Sequence, residues 1–149
     1  MDVKIAFQNA LIAEEVYIEN PLGFEVHGRE SHVCRLTKAL YGLKQAHGAW
    51  YSRIDAYFQQ LGFEKSEADP NLYFIVVGGD PLILVLYVDD LFITGAERLI
   101  VGCKESLALE FEMKGIGLMH YFLGLEVWQE PVHIFLGHGR YVVDILRIF

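Results

Sequence analysis

Two apolar runs separated by a turn signal constrain the fold of this chain most strongly. Residues 72–77 and 82–88 are rich in aliphatic and β-branched side chains, and Gly78-Gly79-Asp80-Pro81 lies between them. Glycine and proline favour tight reversals, so this pattern predicts a β-hairpin. A second reversal follows at Asp89-Asp90, because residues 91–94 are again β-prone. We therefore expect an antiparallel sheet that carries two adjacent carboxylates at a strand–strand turn or at its immediate edge.

Two amphipathic helices are predicted on either side of these hairpins. Apolar residues recur at spacings of three and four from Ala46 to Leu61, where Gly62 ends the series, and a second helix is expected over residues 97–112. Shorter strands are expected over residues 3–7, 16–18, 32–36, 121–128 and 133–136, and residues 141–149 resemble the first turns of a helix. This order predicts an α+β fold in which helices cover one face of an antiparallel sheet.

Length and composition narrow the class of protein. The chain has 149 residues, is 53% hydrophobic and carries a formal charge of −8, which predicts one domain with a proper core and excludes a basic, histone-like coat. The longest unbroken apolar run, residues 82–88, is far shorter than the ~20 residues that span a bilayer. The first residues also lack the pattern of a signal peptide. We therefore expect an intracellular chain that is not bound to a membrane.

The charge is unevenly distributed along the chain. Between positions 29 and 53, five basic residues accompany a single acidic residue. Such a segment suits contact with phosphate, whereas the acidic remainder suits cations. Four of the basic residues are candidate nucleic-acid contacts, and a solvated face is the alternative: Arg35, Lys38, Lys44 and Arg53.

Asp89 and Asp90 are the most informative candidates for chemistry. An apolar strand that ends in two like charges suggests a divalent cation, because Mg²⁺ is held by one or two carboxylates together with substrate phosphates. The alternative is a purely structural turn, in which aspartate bonds to nearby backbone. Asp2 heads the first β-prone stretch, and the three carboxylates would converge in one cluster if that stretch lies beside the Asp89 hairpin. Gly42 and Lys44 precede a helix, where backbone N–H groups and an ammonium favour an anion.

Several blocks of the sequence, in this order and spacing, resemble the reverse transcriptase of copia-type retrotransposons. The blocks are Asp2-Val3-Lys4-x-Ala6-Phe7, residues 39–50 around Tyr41-Gly42-Leu43-Lys44-Gln45-Ala46, Tyr87-Val88-Asp89-Asp90, residues 112–114, residues 118–126 and residues 141–146. The resemblance covers nearly the whole chain. It implies a polymerase palm, truncated at both ends, that occupies residues 1–149 without the start of the fingers, the thumb, the connection or the ribonuclease H domain.

The resemblance also implies roles for individual residues. Asp2, Asp89 and Asp90 would be the catalytic carboxylates and the ligands of two Mg²⁺ ions, with Mn²⁺ as a substitute, in a nucleotidyl transfer from a deoxynucleoside triphosphate to a primer 3′-hydroxyl. The nucleotide would be contacted by Phe7, as an aromatic gate against the ribose 2′-hydroxyl, and by Tyr41, Gly42 and Tyr87. Leu123 and Gly124 would grip the primer end.

The implied partners are an RNA or DNA primer-template, deoxynucleotides and the remainder of a polyprotein, and the implied compartment is the cytoplasm, within a virus-like particle, or the nucleus. His47-Gly48 stands where the family usually has Pro-Arg, and Gly115-Ile116 stands in place of a usual Asp-Leu. Two other interpretations stay open at this point. One is a catalytically inactive retrotransposon remnant that serves at most as a binding module, and the other is an unrelated, small, acidic metal-binding domain.

Overall fold

The computed structural model describes residues 1–24, 27–28, 32–122, 124–130 and 132–148. The chain divides into two compact units, Met1–Gly115 and Ile116–Phe149. The strands are β1 (Asp2–Val3), β2 (Tyr17–Glu19), β3 (Val33–Arg35), β4 (Glu64–Lys65), β5 (Leu72–Val77), β6 (Asp80–Tyr87), β7 (Asp90–Gly95), β8 (Met113–Lys114), β9 (Tyr121–Phe122), β10 (Leu125–Gln129) and β11 (Ile134–Gly137). The α-helices are α1 (Ala46–Gln60), α2 (Glu97–Phe111) and α3 (Gly139–Leu146), and a short 3-10 helix spans Ala6–Asn9.

The larger unit is built on an antiparallel six-stranded sheet with the order β4-β5-β6-β7-β1-β8. Its centre is the predicted pair of reversals, in which Val77 pairs with Asp80 across the first turn and Tyr87 pairs with Asp90 across the second. The glycine-rich hairpin and the reversal at Asp89 are thus confirmed. A separate two-stranded sheet, β2 with β3, belongs to the same unit.

Helices α1 and α2 share one core with the six-stranded sheet. Every second residue of β6 is buried, and Leu84 lies opposite Tyr73, which has no exposed surface. From the helices, the fully buried side chains of this core include Trp50, Ile54, Phe58, Leu107 and Phe111. The Phe111 ring meets the ring of Trp50 edge-on, with centroids 5.4 Å apart. The α+β class with antiparallel sheets is therefore confirmed.

The strand predicted over residues 3–7 is wrong beyond its first residue. The strand covers Asp2–Val3, and the chain then turns through Ile5, whose φ of 58° is left-handed. Ala6 and Phe7 are buried in the 3-10 helix. Apolar character marked these positions as buried, but it cannot separate a strand from a tight helical turn over so few residues.

The smaller unit contains the sheet β11-β10-β9 and helix α3. The single strand predicted over residues 121–128 is instead two antiparallel strands, β9 and β10, with Leu125 opposite Phe122. Val127 is the buried apolar residue at the centre of β10. Within the described residues, no helix has both the length and the apolar character needed to cross a membrane.

Candidate active site

The turn between β6 and β7 places the two adjacent carboxylates. Tyr87 ends β6, Val88 and Asp89 form the turn, and Asp90 begins β7. Val88 adopts a φ of 51°, in the left-handed region that β-branched residues rarely occupy. A conformation of this kind persists only when neighbouring groups hold it in place.

Two hydrogen bonds hold the backbone of this turn. The buried Trp50 of α1 donates from Nε1 to the carbonyl oxygen of Val88 over 2.8 Å. The N–H of Val3 donates to the carbonyl oxygen of Asp89 over 3.0 Å. The turn is therefore fixed from the helix side and from strand β1.

Strand β1 brings Asp2 beside the turn. It pairs antiparallel with β7, and Asp2 lies directly opposite Asp90 in the register. The N–H of Leu91 also donates to the carbonyl oxygen of Met1 over 2.8 Å. Directly opposed residues of neighbouring strands project from the same face of a sheet, so this ladder places two carboxylates side by side.

The gathered charges affect one another. Partial burial, followed by the negative charge of Asp2 and, more weakly, that of Asp89, raises the pKa of the Asp90 carboxyl above its usual value. In the part of the chain that the structure describes, no lysine or arginine forms an ion pair with any of the three. The Met1 ammonium partly offsets this negative charge and acts to lower the pKa of Asp90, and Lys114 lies opposite Asp2 in the register of β1 and β8.

Asp89 differs from the other two carboxylates in its contacts. Its Oδ2 accepts a hydrogen bond of 2.5 Å from the Tyr41 hydroxyl, which raises the pKa of Tyr41 to about 12. Its Oδ1 is buried and has no hydrogen-bond partner among the described residues. Within the described residues, no group of three acidic, histidine or cysteine side chains stands ready to hold a metal. The part of Asp2, Asp89 and Asp90 as joint metal ligands therefore stays a prediction, and in this conformation Asp89 is hydrogen-bonded to Tyr41.

The predicted nucleotide contacts lie beside Asp89. Phe7 is buried in the 3-10 helix, and its ring centroid is 4.3 Å from that of Tyr41. Tyr41 itself is exposed, and Gly42 follows it with a φ of 92°. Tyr87 is about half exposed at the end of β6. The structure thus places Tyr41 between the ring of Phe7 and the carboxylate of Asp89, while the contact of Phe7 and Tyr41 with a nucleotide stays a prediction.

The predicted phosphate contacts fall into two groups. Lys38 and Lys44 are exposed, and among the described residues neither is in an ion pair. Arg35 pairs with Glu15 at 3.3 Å. Arg53 pairs with Glu110 and lies over the Phe111 ring, 5.2 Å from its centroid, so it joins α1 to α2.

The two predicted primer-grip residues lie in the smaller unit. Gly124 is in the turn between β9 and β10. Leu123 lies outside the described residues. The role of both in holding a primer end stays a prediction.

The sequence pattern did not identify Trp50 as a residue that supports the candidate site. Its position in the helical series marked it only as a core residue. A buried tryptophan usually finds an acceptor for its N–H, so a hydrogen bond from Trp50 could have been predicted from the sequence. The pattern did not identify Val88 as the acceptor, because the two residues lie far apart in the sequence.

Comparison with known proteins decides the family. The family model described as "Reverse transcriptase (RNA-dependent DNA polymerase)" matches residues 1–149. The chain belongs to the reverse transcriptase family. It is 38% identical over its full length to the retrovirus-related Pol polyprotein from transposon TNT 1-94 of Nicotiana tabacum, and 37% identical over 98% of its length to that from transposon RE1 of Arabidopsis thaliana. These similarities confirm the expected copia-type retrotransposon relationship.

This reverse transcriptase chain corresponds to a small part of each relative. It spans 12% of the tobacco polyprotein and 10% of the RE1 polyprotein. It is also 30% identical over 92% of its length to the transposon Ty1-DR4 Gag-Pol polyprotein of Saccharomyces cerevisiae, of which it spans 9%. No solved structure matches the chain.

Proposed function

We propose that this chain is the palm part of a copia-type RNA-directed DNA polymerase, and that it carries the carboxylates for nucleotidyl transfer. The observation that carries the proposal is the register of β1 against β7, which sets Asp2 opposite Asp90 beside the Asp89 turn. Residues that lie far apart in the sequence are thereby brought to one end of the β6–β7 hairpin. The whole-chain match to the reverse transcriptase family supports the same assignment.

The residues at this end fit a divalent cation. A buried carboxylate oxygen on Asp89 has no partner among the described residues, and Asp2 lies opposite Asp90, where no ion pair with a lysine or arginine is formed among the described residues. Mg²⁺ is typically held by one or two carboxylates plus substrate phosphates rather than by a complete protein cage. The absence of a ready three-ligand group among the described residues is therefore compatible with a site that substrate completes.

In the proposed reaction, the primer 3′-oxygen attacks the α-phosphorus of a deoxynucleoside triphosphate. A new phosphodiester bond forms, and the bond to the pyrophosphate leaving group breaks. The 3′-hydroxyl gives up its proton to solvent in this step. If Asp2, Asp89 and Asp90 hold two Mg²⁺ ions, these would lower the pKa of that hydroxyl and neutralise the leaving group. The exposed ammonium groups of Lys38 and Lys44 would contact the nucleic-acid backbone.

The fold around the carboxylates suits this role. The turn that carries Asp89 is tied to α1 through Trp50 and to β1 through Val3, so its backbone is held on both sides. Catalytic groups need such rigid support, because small misplacements cost much of the rate. The relatives are Pol polyproteins, and we propose that this chain likewise acts within a larger polyprotein.

The direct test replaces the matching segment of the TNT 1-94 polyprotein with this chain. The chimera is incubated with a primer annealed to an RNA template, deoxynucleotides and Mg²⁺, next to an Asp89→Asn, Asp90→Asn version. We expect extension by the chimera and a loss of at least about a hundredfold in the double variant, because a charged ligand is removed from each position. The unmodified tobacco protein serves as the positive control.

A folded chimera without extension would contradict the proposal and would identify the chain as an inactive remnant. Folding is checked by circular dichroism and thermal unfolding. Extension that survives the double substitution would also contradict it, since the reaction would then use other residues.

A further inference from the structure

Neither oxygen of Asp89 is both exposed and without a hydrogen bond in this conformation. Its Oδ1 is sealed from solvent, and its Oδ2 accepts the short hydrogen bond from Tyr41. Asp2 is exposed and Asp90 is half-buried. Of the three carboxylates, Asp89 is thus the one that a neighbouring side chain occupies.

The backbone of the turn cannot release Asp89 easily. Trp50 and Val3 hold the carbonyl groups of Val88 and Asp89, and Trp50 is almost wholly buried. A change at Asp89 is therefore confined to its side chain and to the group that bonds it. That group is the Tyr41 hydroxyl.

Tyr41 is placed so that it can move. It is 57% exposed, and among the described residues its side chain contacts the ring of Phe7 and the carboxylate of Asp89. It lies in the loop between the buried Ala39 and the buried Ala46, next to the left-handed Gly42. Both ends of this loop are anchored, while its middle carries the residue that bonds Asp89.

We propose that Tyr41 is a latch on the cation site: its hydroxyl occupies Asp89 in the ligand-free chain, and a cation binds Asp89 only after that hydrogen bond breaks. This inference rests on the proposed function, since it takes Asp89 as a cation ligand. Because the ring that bonds Asp89 also covers Phe7, the same movement of Tyr41 uncovers the predicted nucleotide gate. Release of the latch therefore couples cation binding to opening of the nucleotide site.

The test measures Mn²⁺ binding to the full chain by electron paramagnetic resonance of free Mn²⁺. Tyr41→Phe removes the hydroxyl and keeps the ring against Phe7. We expect Mn²⁺ to bind about tenfold more tightly to this variant, because the cation no longer competes with a hydrogen bond to a charged acceptor. In an Asp89→Asn background the Tyr41→Phe substitution should have no effect, as a double-mutant cycle requires of a direct interaction.

Tyr17→Phe is the matched control. Tyr17 is also an exposed tyrosine of the larger unit, and its hydroxyl donates to the Glu15 carboxylate over 3.3 Å. We expect no change in Mn²⁺ affinity from this substitution. Thermal unfolding in EDTA verifies that each variant folds.

The outcomes separate the latch from the proposed function. If Mn²⁺ binds the unmodified chain through Asp89 and Tyr41→Phe leaves the affinity unchanged or weakens it, the latch is overturned and the proposed function stands. If neither protein binds Mn²⁺ in a way that depends on Asp89, both are overturned. Tighter binding to the Tyr41→Phe variant that disappears in the Asp89→Asn background supports both.

Discussion

At the scale of single residues, the Asp55 carboxylate stabilises the fold through its contacts with Lys65 and Tyr73. Lys65 Nζ lies 2.5 Å from its carboxylate, and the buried Tyr73 donates a hydrogen bond of 2.7 Å to it. Burial by itself would raise the pKa of Asp55, but the hydrogen bonds from Lys65 and Tyr73 outweigh it and lower the pKa. The carboxylate therefore stabilises the fold above the pH at which an unfolded aspartate ionises, about 4. That stabilisation is lost as the pH falls through the lower pKa of the folded state.

The Asp55→Asn substitution tests this contribution. We expect the free energy of unfolding in urea at pH 7 to fall by about 1–2 kcal/mol, because a charge-assisted hydrogen bond is lost. The difference from the unmodified chain should shrink as the pH falls from about 4, where the unfolded carboxyl becomes protonated, through the lower pKa of the folded state. Asp80→Asn is the control, since Asp80 pairs with Arg98 on the surface and its loss should cost under about 0.5 kcal/mol. If the difference in the free energy of unfolding between Asp55→Asn and the unmodified chain does not vary with pH, the Asp55 carboxylate does not stabilise the fold through its charge.

At the scale of elements, both helices of the larger unit contain an interior glycine. Gly48 lies in the first turn of α1 and Gly102 lies within α2, and a Cβ at either position would meet no atom within 4 Å. Gly48 belongs to the His47-Gly48 pair, and glycine in a helix is less favourable than alanine because its backbone loses more conformational freedom on folding. Alanine at each position should raise the free energy of unfolding by about 0.5–1 kcal/mol.

Gly95→Ala is the contrasting variant for this prediction. Gly95 has a φ of 146°, and a Cβ there would lie 2.3 Å from the carbonyl oxygen of Pro81. We expect this variant to unfold at a lower urea concentration than the unmodified chain. Equal urea midpoints for Gly48→Ala, Gly102→Ala and Gly95→Ala would contradict both the expected gain in the helices and the expected loss at Gly95.

The elements also show what the sequence could predict. Strand β5 and the start of α2 lie where the apolar runs placed them, because a period of two or of 3.6 is a local property. The reversal at Asp89 was predicted for the same reason. The end of the strand at Val3 was not, since Ile5 turns left-handed within an apolar stretch that local character cannot resolve.

The candidate site was less predictable than the elements that carry it. Asp2 and Asp89 were identified from their positions and from family resemblance. The register that places Asp2 opposite Asp90 could not be predicted in this way, because it depends on pairing between strands that are distant in the sequence. The hydrogen bond from Tyr41 to Asp89 joins two side chains from different parts of the fold. No local pattern encodes such a contact, because the two residues lie far apart in the sequence.

At the scale of the whole molecule, the chain spans about a tenth of the tobacco and Arabidopsis polyproteins. Nucleotidyl transfer requires the 3′-oxygen to be held about 3–3.5 Å from the phosphorus. We expect the 149-residue chain by itself not to extend a primer, because we propose that it acts within a larger polyprotein whose other parts help to hold the primer and the nucleotide. Extension by the purified chain, lost in the Asp89→Asn, Asp90→Asn variant, would contradict this expectation.

The uneven charge of the molecule leads to a further prediction. Primer-template binding should weaken as salt increases, with about one unit of log–log slope for each phosphate contact. Lys44→Gln should lower this slope by about one, since Lys44 is exposed and among the described residues is in no ion pair. Arg53→Gln should leave the slope unchanged and reduce stability instead, because Arg53 joins the helices through Glu110. Equal slopes for all three proteins would contradict the role of Lys44.

The central claim is that the end of the β6–β7 hairpin beside Asp2 is the cation-binding site of the molecule. The most direct measurement is a titration of the ¹⁵N-labelled chain with Mn²⁺, which broadens the amide signals nearest to the bound ion. We expect the signals of Val3, Asp90 and Leu91 to broaden first, and we expect this effect to disappear in an Asp89→Asn, Asp90→Asn variant. Broadening that begins at another acidic part of the chain, and leaves these three signals sharp, would contradict the claim.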